Sequence, residues 1–283
     1  MDTEVLKTFL EVNRTRHFGK AAENLYVTQS TVSARIAQLE TILGSPVFVR
    51  SRNDLQLTAA GQRLLRHAEN ILTTWNRARQ EIAVNYDTSR VPLSVGGVPS
   101  LWDTLLQGWL ETVYGQTTEL ALYAEVLNAD VMSRRLRDRT LDLAFMFDPP
   151  QVSDLHIAEI ATVSLILVSS KENNTARNAL QENYILVDWG SLFAGTHARY
   201  FPDIPTPALR INQGRVARDF LLNCGGSAYL PELMVRESIS NGALFPVPDA
   251  PVIKRPAYAV YPLDSDKETQ INTSLGYFEQ SLP

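Results

Sequence analysis

Apolar positions along the first 85 residues fall at helical spacing, interrupted once by alternation. Val5, Leu6, Phe9, Leu10 and Val12 form one side of a helix that Asp2 or Thr3 can cap and that runs to about Arg14. A short second helix fits Phe18 to Leu25. A third fits Gln29 to Leu43, with Val32, Ile36, Leu39 and Leu43 on one face and Gly44 ending it. Between the second and third helices, Tyr26-Val27-Thr28 is a tight connector. Val47 to Arg50 and Leu55 to Leu57 then alternate like the two strands of a small hairpin, with a polar turn at Ser51 to Asp54. A long helix follows from Thr58 to about Asn85. Its residues Leu64, Ala68, Ile71, Trp75, Ala78 and Ile82 repeat at steps of four and three, a heptad seam that predicts pairing with another helix; packing on its own domain is the alternative.

From Pro92 the pattern changes to strands alternating with helices. Strands are expected at 93–98, 120–126, 141–147, 155–161, 163–169, 184–189, 208–212, 227–230, 244–247 and 257–261. Helices are expected at 101–113, 129–139, 216–223, 231–241 and 267–282. Such alternation predicts a mostly parallel sheet, and about 190 residues suffice for two α/β lobes. The expected organisation is an α-helical winged helix-turn-helix over 1–58, a linker helix over 59–87, and an α/β domain over 91–283. Its first lobe covers about 91–161 plus 253–283 and its second about 163–252.

Composition is that of an ordinary globular protein, 45% hydrophobic and 20% charged. No run of about 18 apolar residues predicts a membrane helix. The first residues lack the basic start and long apolar stretch of a signal peptide. The chain has one cysteine, Cys224, so no intrachain disulfide is available. Together these features point to the cytoplasm. The net charge of -5 alone argues against a nucleic-acid partner. Its distribution reverses that. From Arg14 to Arg66 there are eight basic residues against Glu23, Glu40 and Asp54, a basic head on an acidic body.

Two helices joined by a tight turn, the second polar on its outer face, can set that second helix in the major groove. Gln29 reaches base edges, most naturally adenine. The short side chains Ser30, Thr31 and Ser33 let the helix lie close to bases or phosphates, with Thr28 beside them, and Arg35 suits a guanine or a phosphate. Arg50 and Arg52 flank the hairpin turn, within reach of phosphates or the minor groove.

The run Arg16-His17-Phe18-Gly19-Lys20-Ala21-Ala22-Glu23-Asn24-Leu25-Tyr26-Val27-Thr28-Gln29-Ser30-Thr31-Val32-Ser33 resembles the LysR-type transcriptional regulators. So do Ile36, Leu39-Glu40, Leu43-Gly44, Val47-Phe48, Arg50, Leu57-Thr58 and Ala60-Gly61. The resemblance covers about the first 65 residues. Met1-Asp2-Thr3-Glu4 and Arg14 to Gly19 match one subgroup of that family, as do Ser100-Leu101-Trp102 and Ser265-Asp266-Lys267 more weakly. It implies a winged helix-turn-helix, a dimerising linker helix, and a two-lobed effector domain like the periplasmic binding proteins. It implies double-stranded DNA as partner, a homodimer joining into a dimer of dimers, and Gln29, Ser33, Arg35 and Arg50 as DNA contacts. Ala34 and Val47 depart from the basic residue and the leucine common there.

By the same resemblance a small-molecule site lies between the lobes. Ser100, Asn128 and Asp148 each follow an expected strand, where open α/β sheets bind ligands. A small polar or anionic effector fits them; Ser100 and Asn128 as plain helix caps is the other reading. Catalytic readings find little. Gly96-Gly97-Val98-Pro99-Ser100 is neither a hydrolase elbow nor a phosphate loop. The four histidines have no ligand spacing with Cys224, which reads as packing. No metal, cofactor or enzymatic activity is expected. A small-molecule binding protein without a DNA role is the rival class, and the basic N-terminal module counts against it.

Overall fold

In the computed structural model, which describes residues 2–51, 54–84, 90–207 and 209–278, the chain divides into two compact units, Met1–Thr88 and Ser89–Pro283.

The first unit begins with α1 (Thr3–Thr15), α2 (Phe18–Asn24) and α3 (Gln29–Leu43). Local chemistry starts and stops each of them. Asp2 accepts the Glu4 N–H to cap α1, His17 Nδ1 accepts the Lys20 N–H to cap α2, and Thr28 Oγ1 accepts the Thr31 N–H to cap α3. Gly44 ends α3 at a φ of 64°. The apolar faces meet in one core of Val5, Leu6, Phe9 and Val12 from α1, Ala21 and Ala22 from α2, and Val32, Ile36 and Leu39 from α3. Leu43, expected on that face, is instead exposed, because the helix runs past the core at its last turn.

The hairpin of β1 (Phe48–Ser51) and β2 (Asp54–Leu57) pairs Phe48 with Leu57 and Arg50 with Leu55. Phe48 packs against Phe9 at 5.4 Å and edge-on against Phe18, so the small hairpin leans on the helices. Helix α4 (Ala59–Val84) follows. A Cβ at Gly61 would lie 2.2 Å from the Val47 carbonyl oxygen, so only glycine lets α4 pass so close to the chain entering β1.

The expected seam on α4 divides. Ala68 is fully buried in this unit's own core, and Leu64, Leu65 and Leu72 pack against the same core. Ile71, Trp75 and Ile82 are exposed and Ala78 is half-buried. Heptad spacing alone does not tell which part of a stripe the helix's own domain has already covered.

Among the described residues, the second unit is built on one nine-stranded sheet in two lobes. Strands β3 (Val91–Gly97), β4 (Leu120–Val126) and β5 (Leu143–Met146) are parallel and make the first lobe's sheet. Strands β6 (Leu155–Ser169), β7 (Tyr184–Val187), β8 (Leu209–Ile211), β9 (Ser227–Pro231), β10 (Phe245–Pro246) and β11 (Ile253–Pro262) complete it. The order is β4-β3-β5-β11-β6-β9-β7-β8, with β10 beside β6. Long antiparallel strands β6 and β11 run from one lobe into the other, with an irregularity at Ala257/Tyr258. The expected break between two strands at Thr162 is therefore a single strand, and β11 begins four residues earlier than its apolar pattern suggests. Both differences arise where a strand crosses between lobes and its alternation changes face.

Helices cover the sheet. A continuous helical stretch comprises α5 (Pro99–Leu101), a π-helical turn at Trp102–Leu106 and α6 (Gln107–Gln116). Then come α7 (Ala129–Arg137), α8 (Ala176–Gln181), α9 (Ser191–Tyr200), α10 (Gly214–Cys224), α11 (Glu232–Ser240) and α12 (Glu268–Gly276). Helices α8 and α9 were not expected; α9 buries only Phe193 and His197, too little for a periodic signal. Trp109 donates from Nε1 to the Ser274 carbonyl and stacks on Phe278, holding α12 to the first lobe. Of the helix expected over 267–282, α12 accounts for Glu268–Gly276, and 279–282 lie outside the described residues. Lys267 and Asp142 form a buried ion pair at 3.1 Å, and Asp142 also accepts the Ser94 N–H, tying α12's start to the first lobe's strands.

Candidate nucleic-acid interface and ligand cleft

Burial of Val32, Ile36 and Leu39 turns the other side of α3 outward. Gln29, Ser30 and Ser33 are exposed there, with Thr31 half-buried. Thr28 Oγ1 lies 2.8 Å from Ser30 Oγ and 2.9 Å from Thr31 Oγ1, a hydroxyl cluster that stiffens the helix start. Arg35 behaves differently. It is half-buried, donates from Nη1 to Thr8 Oγ1 at 3.2 Å, and lies 3.6 Å from Glu4. Its guanidinium leans on α1, so its first duty is to hold α3 to α1. Arg50 lies in β1, and Arg52 falls outside the described residues.

Two features of this unit escaped the pattern reading. Tyr26, in the turn between α2 and α3, has φ 55° and is 96% exposed, an arrangement uncommon for an aromatic residue. Arg16 donates to the Leu55 carbonyl at 3.2 Å and fastens the α1–α2 corner to the hairpin.

In the second unit, the carboxyl ends of β3, β4, β5, β7 and β8 open on one cleft of about 360 Å³. Ser100, Asn128 and Asp148 all line it, with Asp188, Gly190, Gln213 and Arg255. Neither Ser100 nor Asn128 makes a side-chain capping bond. Ser100 lies inside α5, whose N-cap is Val98, and Asn128 stands at the N-cap of α7 without a side-chain capping bond. The starts of α9 and α10 also lack side-chain caps. Several helix N-termini therefore turn uncapped N–H groups and positive dipole ends toward one space.

Arg255 was the residue missed. It is 1% exposed, donates from Nη2 to Asp148 Oδ2 at 2.8 Å, and stands 5.0 Å from the centre of the Phe147 ring. A lone arginine inside the strand pattern Ile253–Pro262 was the available signal. Cys224 proves exposed at the end of α10, not packed as its glycine neighbours suggested. Among the described residues no cluster of metal-ligating side chains occurs, and no helix is long and apolar enough to cross a membrane.

A second cavity, about 700 Å³, lies beside β7, β8 and α9. Next to it, buried His197 meets the Tyr184 hydroxyl at 2.9 Å, and burial holds the imidazole's pKa below its usual 6.5. The unfolded chain then binds the extra proton first, so this histidine's contribution is present above about pH 6.5 and lost as pH falls below it. Thermal unfolding between pH 7.5 and 5.5 is expected to destabilise the wild type more than His197→Gln. Equal pH dependence would remove His197 from the account.

Residues 3–62 match the family described as "Bacterial regulatory helix-turn-helix protein, lysR family", and residues 87–282 match the "LysR substrate binding domain". The chain belongs to the LysR family. It is a DNA-binding transcriptional regulator carrying a substrate-binding domain. The HTH-type transcriptional regulator HdfR of Yersinia pestis (strain Pestoides F) is 40% identical over 284 residues, spanning 97% of this chain and 95% of that protein. HdfR of Yersinia pseudotuberculosis serotype O:3 (strain YPIII) has the same identity and coverage. The subgroup that Met1 to Glu4 and Arg14 to Gly19 pointed to is this HdfR-like one. Among solved structures, CbnR, a LysR family transcriptional regulator, superposes with a TM-score of 0.74 at 18% identity, over 100% of this chain and 98% of that one. Full-length CbnR complexed with its target DNA gives 0.75 at 20% identity, over 99% and 100%. At such identities the likeness carries the fold.

Proposed function

We propose that this LysR regulator reads DNA sequence with Gln29, Ser30 and Ser33 of α3, helped by Thr28, Thr31, Arg35, Arg50 and Arg52. The observation that carries this is the exposed polar row on α3 whose opposite face is buried. Arg35 positions the helix through Thr8 as well as adding positive charge. Two copies pair through α4, whose Ile71, Trp75 and Ile82 lie open, and two such dimers join through the C-terminal domains. A two-fold dimer presents two recognition helices, so the target is an interrupted inverted repeat. The regulator works in the cytoplasm. Mobility shifts against genomic fragments test this: specific retardation of fragments carrying an inverted repeat is expected, and uniform salt-sensitive binding to all fragments would overturn it.

The cleft bordered by Ser100, Asn128 and Asp148 takes a small polar or anionic effector, which shifts the regulator by its difference in affinity between two states. Support comes from the uncapped helix starts and the buried cation that border it. Calorimetry with a panel of small metabolic acids is expected to find a binder that Ser100→Ala and Asn128→Ala each weaken about tenfold, the equivalent of one hydrogen bond to a charged group. A binder indifferent to both substitutions would move the site elsewhere.

A further inference from the structure

We propose that the Asp148 carboxylate is a built-in occupant of an anion subsite centred on Arg255, and that the effector is a monocarboxylate whose head takes Asp148's place. This rests on the cleft being the effector site.

The argument begins with a buried charge. Arg255 sits on β11 opposite Val163 in a strand that crosses between lobes, with 1% exposure. A guanidinium cation so buried requires an anion beside it. Asp148 supplies it in fork geometry, Nη2 to Oδ2 at 2.8 Å and Nη1 to Oδ1 at 3.4 Å. Nε of Arg255 is buried and has no hydrogen-bond partner. The cation is thus fixed in the sheet and incompletely satisfied.

Its anion is held less firmly. Asp148 follows the end of β5, just before Pro149-Pro150, and its side chain is half exposed in the cleft. An incoming carboxylate can reach the same donors from the solvent side, where Arg255 itself cannot move.

The second lobe is shaped around this pair. Gly190, the N-cap of α9, has φ 87°, and a Cβ there would lie 2.5 Å from Asp148 Oδ2 and 2.9 Å from Arg255 Nη2. The start of α9 therefore abuts the carboxylate, as a helix N-terminus abuts a bound anion. Asp188 also borders the cleft, with Oδ1 accepting the Gly190 N–H. Two carboxylates against one guanidinium leave the cleft no excess of positive charge. A dianion is disfavoured, and a single carboxylate exchanging for Asp148 keeps the balance. Because Asp148 joins the end of β5 to the start of α9, the exchange also replaces a link between the lobes with one made by the ligand.

Chemical rescue tests this in the full-length protein. Asp148→Ala vacates the subsite and is expected to lower the melting temperature by about 5 °C. Millimolar sodium acetate should restore most of it, while sodium chloride at equal ionic strength should not, and the wild type, whose subsite Asp148 already fills, should gain much less from acetate than the variant does. Asp148→Ser is measured in parallel in case the alanine variant does not fold. Adding Arg255→Met to either should abolish the acetate response. An acetate effect equal to that of chloride, or equal in the wild type, overturns the proposal. If no metabolic acid binds the wild type while acetate rescue holds, the effector reading fails and the subsite stands. If a bound acid keeps its affinity in Asp148→Ala, the effector reading stands and the exchange does not.

Discussion

Trp75→Glu is expected to break the proposed pairing through α4, halving the size of the assembly, and to cut affinity for a two-half-site target by about 10²–10⁴-fold, the range lost when two linked binding events become separate ones. Trp75 is 49% exposed on α4, between Ile71 and Ile82, which are also exposed. An open apolar stripe beyond the part of the helix that its own domain covers is the natural pairing surface, and an unpaired carboxylate placed in it is costly to bury. Because Trp75 lies outside the core of the first unit, the substitution should leave the helix-turn-helix folded. Sedimentation and a mobility shift on the same sample measure both effects. An unchanged assembly would place the pairing surface elsewhere. Ala68 makes the useful contrast: it is buried in the domain itself, so enlarging it should lower stability before it touches assembly.

Gln29→Ala is expected to erase the preference for one base pair in each half-site, a loss of about 1–3 kcal/mol in discrimination, or roughly 5- to 150-fold. Gln29 lies exposed on the first turn of α3, where an amide can pair with an adenine edge. Thr28 caps that turn, so the position is rigid and removal of the amide is not masked by fraying. Arg50→Ala provides the comparison. It should weaken specific and non-specific DNA about equally and reduce the slope of affinity against salt by about one counterion. Competition binding against targets changed at single positions reads both. If Gln29→Ala kept its full preference at every position, α3 would not be the reading helix as drawn.

Elements held by local chemistry were legible in the chain. Helices α1, α2 and α3 each begin at a capping side chain and carry apolar residues at helical spacing, and Gly44 closes the third. The meeting of Ser100, Asn128 and Asp148 was legible for a different reason. Parallel strands put their carboxyl ends along one edge, so residues following β3, β4 and β5 must come together once the strands are placed. The capping roles held open for Ser100 and Asn128 were not decidable, since cap geometry depends on where a helix starts to within one residue. Helix α9 was illegible because it covers the sheet with little more than Phe193 and His197.

The sequence by itself determined the helix-turn-helix, the hairpin, the long helix and the alternation of strands and helices, because periodicity and end chemistry act over a few residues. Only the tertiary structure decided which part of the α4 stripe remained open, since that depends on the Phe9, Val32 and Leu39 core folding back onto Ala68. It alone joined 155–169 into one strand across two lobes. It alone brought Arg255 to Asp148, 107 positions away. A buried charge finds its partner through the packing of strands remote in sequence, and no local pattern records that pairing.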